Sequence, residues 1–451
     1  MNNKLIAVIV VVILVVSGAV AAIVYTQNHS SSKQTIYDID GGLEVYGNAD
    51  GDYKIDNADV QIIKDIIAGT KTLVSYPYAD ANYDGTVDSD DVTLVEKIIN
   101  KESCTVWHVN TCSTGNYVVS TQWPITSAIS TGSSNMLLLL TMAGVKDDIH
   151  GITYTSSSVP DATLFPTFSK MTSLGSSSTA ISIDAASDTI KQYNVTALIS
   201  DYTASTISNE SEFEAAGIDV IRVDPAYVDV DAYSSQLLLI GFLFQTETQC
   251  LEIAQWETAV MKQIDEKLAT VTAKVSAITT NGSTAKGAWV SGGISDYKDV
   301  ITTAGATYAI PDAVVKGISG YASGAYFSSS DTWLYNYEFD YIVSIRTGGW
   351  YSGMDSSTMV QKYNSTMEYL TNTEAYENGN AYVIVGDGPI IIRIAYAATV
   401  LYPSLFTEDW ANQLNQEFFE KFYDEASGST VDFTNLYFVI SKAMVDKASS
   451  A

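Results

Sequence analysis

The sequence predicts an α/β protein of two lobes joined by a long helix, preceded by a small all-α module and an apolar N-terminal segment. Three observations predict it. From Ser103 onward, strand-like and helix-like stretches alternate, the pattern of a parallel sheet covered by helices. That alternation is broken by one long helical stretch, about 245–278, and then restarts. Ahead of it lie two acidic twelve-residue loops, each leading into a short apolar helix, and before them a 21-residue run without charge. The expected boundaries are 1–26 for a transmembrane anchor or signal segment, 27–43 for a tether and 44–101 for the acidic module. The first lobe is expected at 103–244, the linking helix at 245–279 and the second lobe at 280–451.

The uncharged run Leu5–Tyr25 is long enough to cross a bilayer core, which needs about 20 residues. Lys4 ahead of it orients the amino terminus inward. This predicts a single-pass membrane tether with the bulk of the chain outside the cytoplasm. Ala19-Val20-Ala21 offers the alternative of a cleaved signal. Gln27–Thr35 reads as a polar spacer. The net charge of −29 excludes nucleic acid and anionic lipid surfaces as partners, since both need a basic face. Cys104 and Cys112 are close in sequence, and an oxidising exterior permits a small disulfide loop; two free thiols are the alternative. Cys250 falls in a helical pattern and reads as a small buried hydrophobe.

The first acidic loop, Asn48–Asp59, reads NADGDYKIDNAD, and the second, Asp80–Asp91, reads DANYDGTVDSDD. Both place oxygen side chains at positions 1, 3, 5, 9 and 12. In the first these are Asn48, Asp50, Asp52, Asp56 and Asp59; in the second, Asp80, Asn82, Asp84, Asp88 and Asp91. A hard cation such as Ca²⁺ takes six to eight oxygens at about 2.3–2.6 Å, and this alternating spacing supplies them, with a main-chain carbonyl at position 7, here Lys54 and Thr86. The helices Val60–Ala68 and Val92–Asn100 follow. The pair resembles the type I dockerin module, two loop-helix repeats of the EF-hand type, and aspartate at position 12 agrees with that family. Position 6 is Gly85 in the second loop but Tyr53 in the first, where a sharp turn prefers glycine. The resemblance implies two Ca²⁺ ions and a cohesin-like surface protein as partner. Recognition would involve Asn57-Ala58 and Ser89-Asp90, with Lys64 and Lys97 behind them.

In the first lobe, Ile125–Val145 reads as strand, Ser/Gly turn and apolar helix, and Ile149–Thr155 as a second strand. A helix at Asp184–Gln192 leads to the strand Val195–Ser200. Another at Glu210–Ala216 leads to Asp219–Val223, stopped by Asp224-Pro225. In the second lobe, strands are expected near Gly287–Val290, Ala325–Phe327, Tyr341–Ile345 and Tyr382–Val385. The segments EAAGIDVIRVDP (Glu214–Pro225), SSSDTWLYNYEFDYIVSI (Ser328–Ile345) and GPIIIRIAYAATVLYPSLF (Gly388–Phe406) give a specific resemblance. From about 105 to 445 the chain resembles the class III periplasmic-type binding proteins of ABC importers for iron chelates, haem and cobalamin.

Two α/β lobes on one helix leave a cleft, and ligands of open α/β sheets bind beyond the carboxyl ends of strands. The candidate ligand residues therefore follow strands: Ser133, Ser134, Tyr154, Thr155, Ser176 and Tyr202 in the first lobe, and Trp289, Ser291, Arg346, Trp350 and Tyr351 in the second. Within RTGGWYSG (Arg346–Gly353), an arginine can grip an anionic group bidentately and a tryptophan can lie against a macrocycle or aromatic chelate. The chain's histidines, His29, His108 and His150, are too scattered for a bare Zn²⁺ or Mn²⁺ site, which points to a metal already wrapped in an organic chelate.

The leading expectation is a membrane-tethered, non-enzymatic substrate-binding component of an ABC importer, with the permease and a siderophore-iron or corrinoid-like ligand as partners. The alternatives are a polysaccharide-active surface enzyme, whose chemistry needs two carboxylates about 5–10 Å apart, and a scaffold or adhesin.

Overall fold

The computed structural model describes residues 41–154, 159–175, 180–292, 296–434 and 436–450. The apolar run Leu5–Tyr25, the tether up to residue 40, Thr155 and Ser176 lie outside them. Among the described residues no helix is long and apolar enough to cross a membrane.

The acidic module consists of α1 (Asn57–Ile67) and α2 (Ser89–Ile99), each started by its preceding loop. Asp56 and Asp88 are the N-caps, and Asp59 and Asp91 close reciprocal capping boxes. Val60, Ile62, Ile63 and Val95 pack between the helices with Ala49, Ala79 and Ala81. The module is not a separate bead. Val45 forms an antiparallel bridge to His108, the amide of Tyr46 donates to the Trp107 carbonyl at 2.8 Å, and the amide of Val109 donates to the Glu44 carbonyl at 3.2 Å. These bonds seat it on a two-stranded antiparallel hairpin, β1 (Cys104–Asn110) and β2 (Tyr117–Trp123).

Lobe 1 is built on a four-stranded, wholly parallel sheet of order β4-β3-β5-β6. Its strands and helices alternate as the sequence predicts. They are β3 (Ala128–Ser130), α3 (Ser134–Met142), β4 (Ile149–Ile152), α4 (Ile183–Tyr193), β5 (Ala197–Asp201), α5 (Glu210–Ala215) and β6 (Asp219–Val223). Its strands are short, nearly continuous apolar runs, as sheets covered on both faces require. Arg222 of β6 is fully buried and donates to the Glu210 carboxylate and to the carbonyls of Asp201 and Thr203.

The lobe connection differs from the single helix expected over 245–279. It is an antiparallel helical pair, α6 (Val230–Phe244) and α7 (Glu247–Leu268), broken at Gln245 with φ +61°. The expected helical tail 269–278 is instead a turn and the start of β7 (Ser276–Thr284), because its β-branched Val and Thr residues suit a strand. Along α7, Cys250, Ile253, Ala254, Glu257, Val260 and Ile264 form one buried stripe at helical spacing.

Lobe 2 carries a seven-stranded mixed sheet, not the parallel one expected. After β7 come β8 (Gly287–Ser291), α8 (Asp296–Thr303), β9 (Thr307–Tyr308), α9 (Asp312–Ser319), β10 (Gly324–Phe327), β11 (Tyr341–Arg346) and α10 (Ser356–Met367). Then follow β12 (Ala381–Val385), α11 (Ile390–Leu401), α12 (Glu408–Phe418), a π-helical turn at Phe419–Tyr423, β13 (Val439–Ser441) and α13 (Lys442–Ser449). β7, β11 and β12 run parallel, whereas β8, β10 and β13 run antiparallel to their neighbours.

Cys104 and Cys112 lie at and just past opposite ends of β1, whose own ends are about 20 Å apart at strand rise. A disulfide needs Cα atoms within about 7 Å. Both are free thiols, as is buried Cys250.

Candidate functional site

The carboxyl ends of the parallel strands in both lobes face one another, and side-chain contacts among the described residues span them. Arg393 Nη2 at the start of α11 donates to Asn135 Oδ1 at the start of α3, at 2.6 Å. Tyr423 Oη donates to the Leu164 carbonyl at 2.7 Å. Ser352 Oγ lies 3.4 Å from Asp161 Oδ2. The cleft between these ends is the candidate ligand site.

From lobe 1, Ser133 reaches the cleft half-buried, with its hydroxyl occupied in capping α3 through the Met136 amide at 3.2 Å. Ser134 beside it is exposed. Tyr154 follows β4 and donates its hydroxyl to the Met171 carbonyl at 2.7 Å. Tyr202 follows β5 half-buried, and its carbonyl accepts from the Ser113 amide.

In lobe 2 the expectations divide. Arg346 ends β11, half-buried, and its Nη1 donates to the carbonyl of Asn281 on β7. Its Nε is buried without a hydrogen-bond partner, and the guanidinium lies where a Cβ on Gly282 would stand. Trp350 does not offer a ring face to the cleft. It is 1% exposed, and its Nε1 donates to the Arg346 carbonyl at 2.5 Å. Tyr351 is likewise core, 3% exposed, with its hydroxyl on Asn415 Oδ1 at 3.0 Å and its ring 4.6 Å from that of Phe419. The assignment of these two rings to the ligand is therefore corrected, since both are consumed in holding the loop onto the lobe.

Trp289 and Ser291 are corrected for a topological reason. The β7–β8 hairpin turns at the cleft end, so β8 runs away from the cleft and Ser291 closes its far end. Trp289 instead packs edge-on to Tyr326 of β10 at 4.9 Å.

The sequence reading passed over two residues here, Asp387 and Lys362. Asp387 follows β12 and accepts from the Gly348 amide at 2.8 Å. Burial raises its pKa, against the lowering pull of that amide, Arg393 and Lys362. Lys362 on α10 donates to the Gly348 carbonyl at 2.7 Å and the Thr347 carbonyl at 3.3 Å, with its ammonium 4.5 Å from the centre of the Trp350 ring. An acid in the turn Gly386-Asp387-Gly388-Pro389 directly after a buried strand was a readable signal for the first. Nothing in the sequence marks Lys362.

In the acidic loops, the buried position-12 carboxylates accept main-chain amides. Asp59 takes those of Asp50 and Asp56, and Asp91 takes those of Asn82 and Asp88. Burial raises the pKa of both. In the second loop Asp80 accepts from Asp84 and Gly85, with Gly85 at φ +90°. In the first, Tyr53 is not left-handed, Lys54 is ion-paired to Asp56, and the Asn48 amide group donates to the Leu43 and Asp52 carbonyls. Among the described residues, no three His, Cys, Asp or Glu side chains are gathered as a metal-holding set. An all-oxygen donor set and the buried, unpartnered Asn48 Oδ1 nevertheless match the chemistry of a hard cation.

No family model matches the chain, and no curated protein matches it in sequence. Solved structures do match. A TroA-like periplasmic binding protein, FepB, from Veillonella parvula aligns at TM-score 0.54 and 15% identity, covering 74% of this chain and 99% of its own. An ABC transporter solute binding protein from Sulfurospirillum deleyianum aligns at TM-score 0.51 and 13% identity, covering 72% of this chain and 97% of its own. The chain has the two-lobed TroA-like binding-protein fold. At these identities the likeness is one of fold, and site chemistry has to be argued from the residues in the cleft.

Proposed function

We propose that the chain is the extracytoplasmic substrate-binding component of an ABC importer and captures a chelated metal, of the iron-siderophore or corrinoid-like class, in the interlobe cleft. The observation that carries this reading is the charge of the lobe 2 wall. In a chain of net charge −29 with three arginines, two of them, Arg346 and Arg393, stand with Lys362 around Asp387, with Asp161 of lobe 1 as the second carboxylate nearby. The remaining one, Arg222, is spent internally on Glu210. A local excess of positive charge in an acidic protein suits an anionic chelate. The scarcity of histidine argues against the bare ion.

Titrating the full chain with a ferric siderophore, haemin and cobalamin, read by tryptophan fluorescence and calorimetry, tests the reading. Saturable one-to-one binding of one of them supports it, and no binding of any would overturn it. For a ligand that binds, Arg346→Ala is expected to weaken affinity about tenfold to a hundredfold, the worth of one charge-assisted bidentate contact.

The acidic loops are proposed as Ca²⁺ sites, the second tighter than the first because Gly85 rather than Tyr53 makes its turn. Positions Asn57, Ala58, Ser89 and Asp90 are exposed, which leaves a cohesin-like partner room to dock there. Calorimetry with Ca²⁺ tests the sites, and a Ca²⁺-dependent pull-down from the native surface fraction tests the partner.

A further inference from the structure

The loop Arg346–Gly353 is the lobe 2 rim of the cleft; Trp350 and Tyr351 seat one part of it in the core, but its glycine-rich stretch has no side chain of its own to hold it. Gly348, Gly349 and Gly353 adopt φ of +88°, +78° and +87°. A Cβ on Gly348 or Gly349 would meet nothing within 4 Å, so glycine stands there for its backbone conformation and not for lack of space. Such a loop loses much conformational entropy on ordering and needs external anchors.

The anchors come from two sides. Asp387, beyond β12, accepts the Gly348 amide. Lys362, on α10, donates to the Gly348 and Thr347 carbonyls and lies over the Trp350 ring. Trp350 in turn donates to the Arg346 carbonyl. One ammonium thus touches the middle of the loop and the ring at its far side, while the ring reaches back to its first residue. Thr347, Gly348 and Ser352 remain exposed at the rim.

We propose that Lys362 is the positioning residue of the cleft: its ammonium, opposed by Asp387, fixes the 346–353 loop in the shape that presents Arg346, Thr347 and Gly348 to the ligand. This rests on the binding reading above, but it makes a claim about the ligand-free protein too. Without the ammonium, two carbonyls lose their donor and Trp350 loses its cation–π partner. The charged groups that bear on Lys362 are Asp387, which favours the ammonium, and Arg346, which opposes it. Burial outweighs both and lowers its pKa to about 8. The clamp is therefore at full strength at neutral pH and weakens as the pH rises through about 8, where the neutral amine keeps its N–H donors but loses its charge over the Trp350 ring.

Hydrogen exchange by mass spectrometry on the ligand-free full chain tests the clamp. Lys362→Met is expected to raise exchange across Thr347–Gly353 at least tenfold at pH 7 while β11 and β12 stay protected. Lys362→Arg, which keeps a donor and a charge, should restore protection to within about twofold. In tryptophan fluorescence, the signal that Trp350→Phe removes should show a transition near pH 8 in the wild type and none in Lys362→Met. Unchanged loop protection in Lys362→Met would overturn the proposal, as would failure of arginine to rescue. A loosened loop with unchanged affinity for whichever of ferric siderophore, haemin or cobalamin binds the wild type would overturn it as well. These exchange readouts need no ligand, so the absence of any binding in the titrations would defeat the transport reading separately.

Discussion

At the scale of single residues, one buried acid of the linking helices sets a pH dependence of the fold. Glu257 sits in the buried stripe of α7, and neither carboxyl oxygen has a hydrogen-bond partner among the described residues. Burial raises its pKa to about 8. The unfolded chain ionises this group near the ordinary glutamate value of 4.5 while the folded protein keeps it protonated, so folding stability falls as pH rises from about 4.5 through 8. Glu257→Gln removes the titration. Its melting temperature should fall less between pH 5 and pH 8 than that of the wild type, ending about 5 °C above it at pH 8; parallel curves would show that Glu257 ionises freely in the fold. Trp350 gives a second case. Its ring is core, so Trp350→Ala is expected to destabilise the ligand-free protein by about 3–5 kcal/mol, measured by urea unfolding. A loss below about 1 kcal/mol would return the ring to the cleft. The sequence reading turned the Trp350 indole to the cleft, and it lies in the core, because a Gly-Gly-Trp-Tyr run does not say which way its rings turn. Arg346 was legible as the charged end of an apolar strand. Lys362 was not, since a lysine on a polar helix face looks the same whether or not a loop folds over it.

At the scale of elements, legibility followed the hydrophobic pattern. The lobe 1 strands and β11 and β12 are unbroken apolar runs and were readable as such. β7 was not, because its buried positions include Thr279 and Thr280 and it contains Asn281-Gly282, which reads as a turn. Missing β7 put β8 in its place and sent Trp289 to the wrong end of the sheet. The acidic loops were legible from spacing alone, but their seat on the hairpin was not. Tyr83, at position 4 of the second loop, holds φ +56°, and its ring lies 4.7 Å from Tyr46 and 5.5 Å from Trp107 of β1. An aromatic residue in left-handed backbone is uncommon, and the ring contacts offset its strain. A cation that drew Asp80, Asn82 and Asp84 together would move this ring. Chelation of Ca²⁺ from the full chain should therefore change the fluorescence component that Trp107→Phe removes, and Asp80→Ala should abolish that response. Ca²⁺ binding by calorimetry with a silent Trp107 would mean that the loop closes without moving the hairpin.

At the scale of the whole molecule, one apolar core runs through both lobes and the linking helices, and the acidic module is joined to it. Val45 and Ile98 of the module, with Leu43 just ahead of it, belong to the same cluster as Leu139, Leu239, Ile253 and Ile394. Lys101, just after α2, pairs with Glu247 at the first turn of α7. That exposed ion pair contributes little by itself. The shared core and the main-chain bonds to Trp107 and Glu44 are the stronger ties, because separating them would expose buried apolar side chains at about 25 cal/mol per Å² and leave amides unpaired. The described residues from 41 to 450 belong to one compact unit. A dangling docking module would unfold on its own, at a temperature set by its Ca²⁺ and its small core. A module built into lobe 1 would instead unfold with it. Differential scanning calorimetry of the full chain in Ca²⁺ should show the module and lobes in one transition, and chelation should lower that transition as a whole. An early, separate peak in chelator with the lobe transition unmoved would mean that the hairpin seat is too weak to couple them, and the module would then be free to act as an independent docking unit.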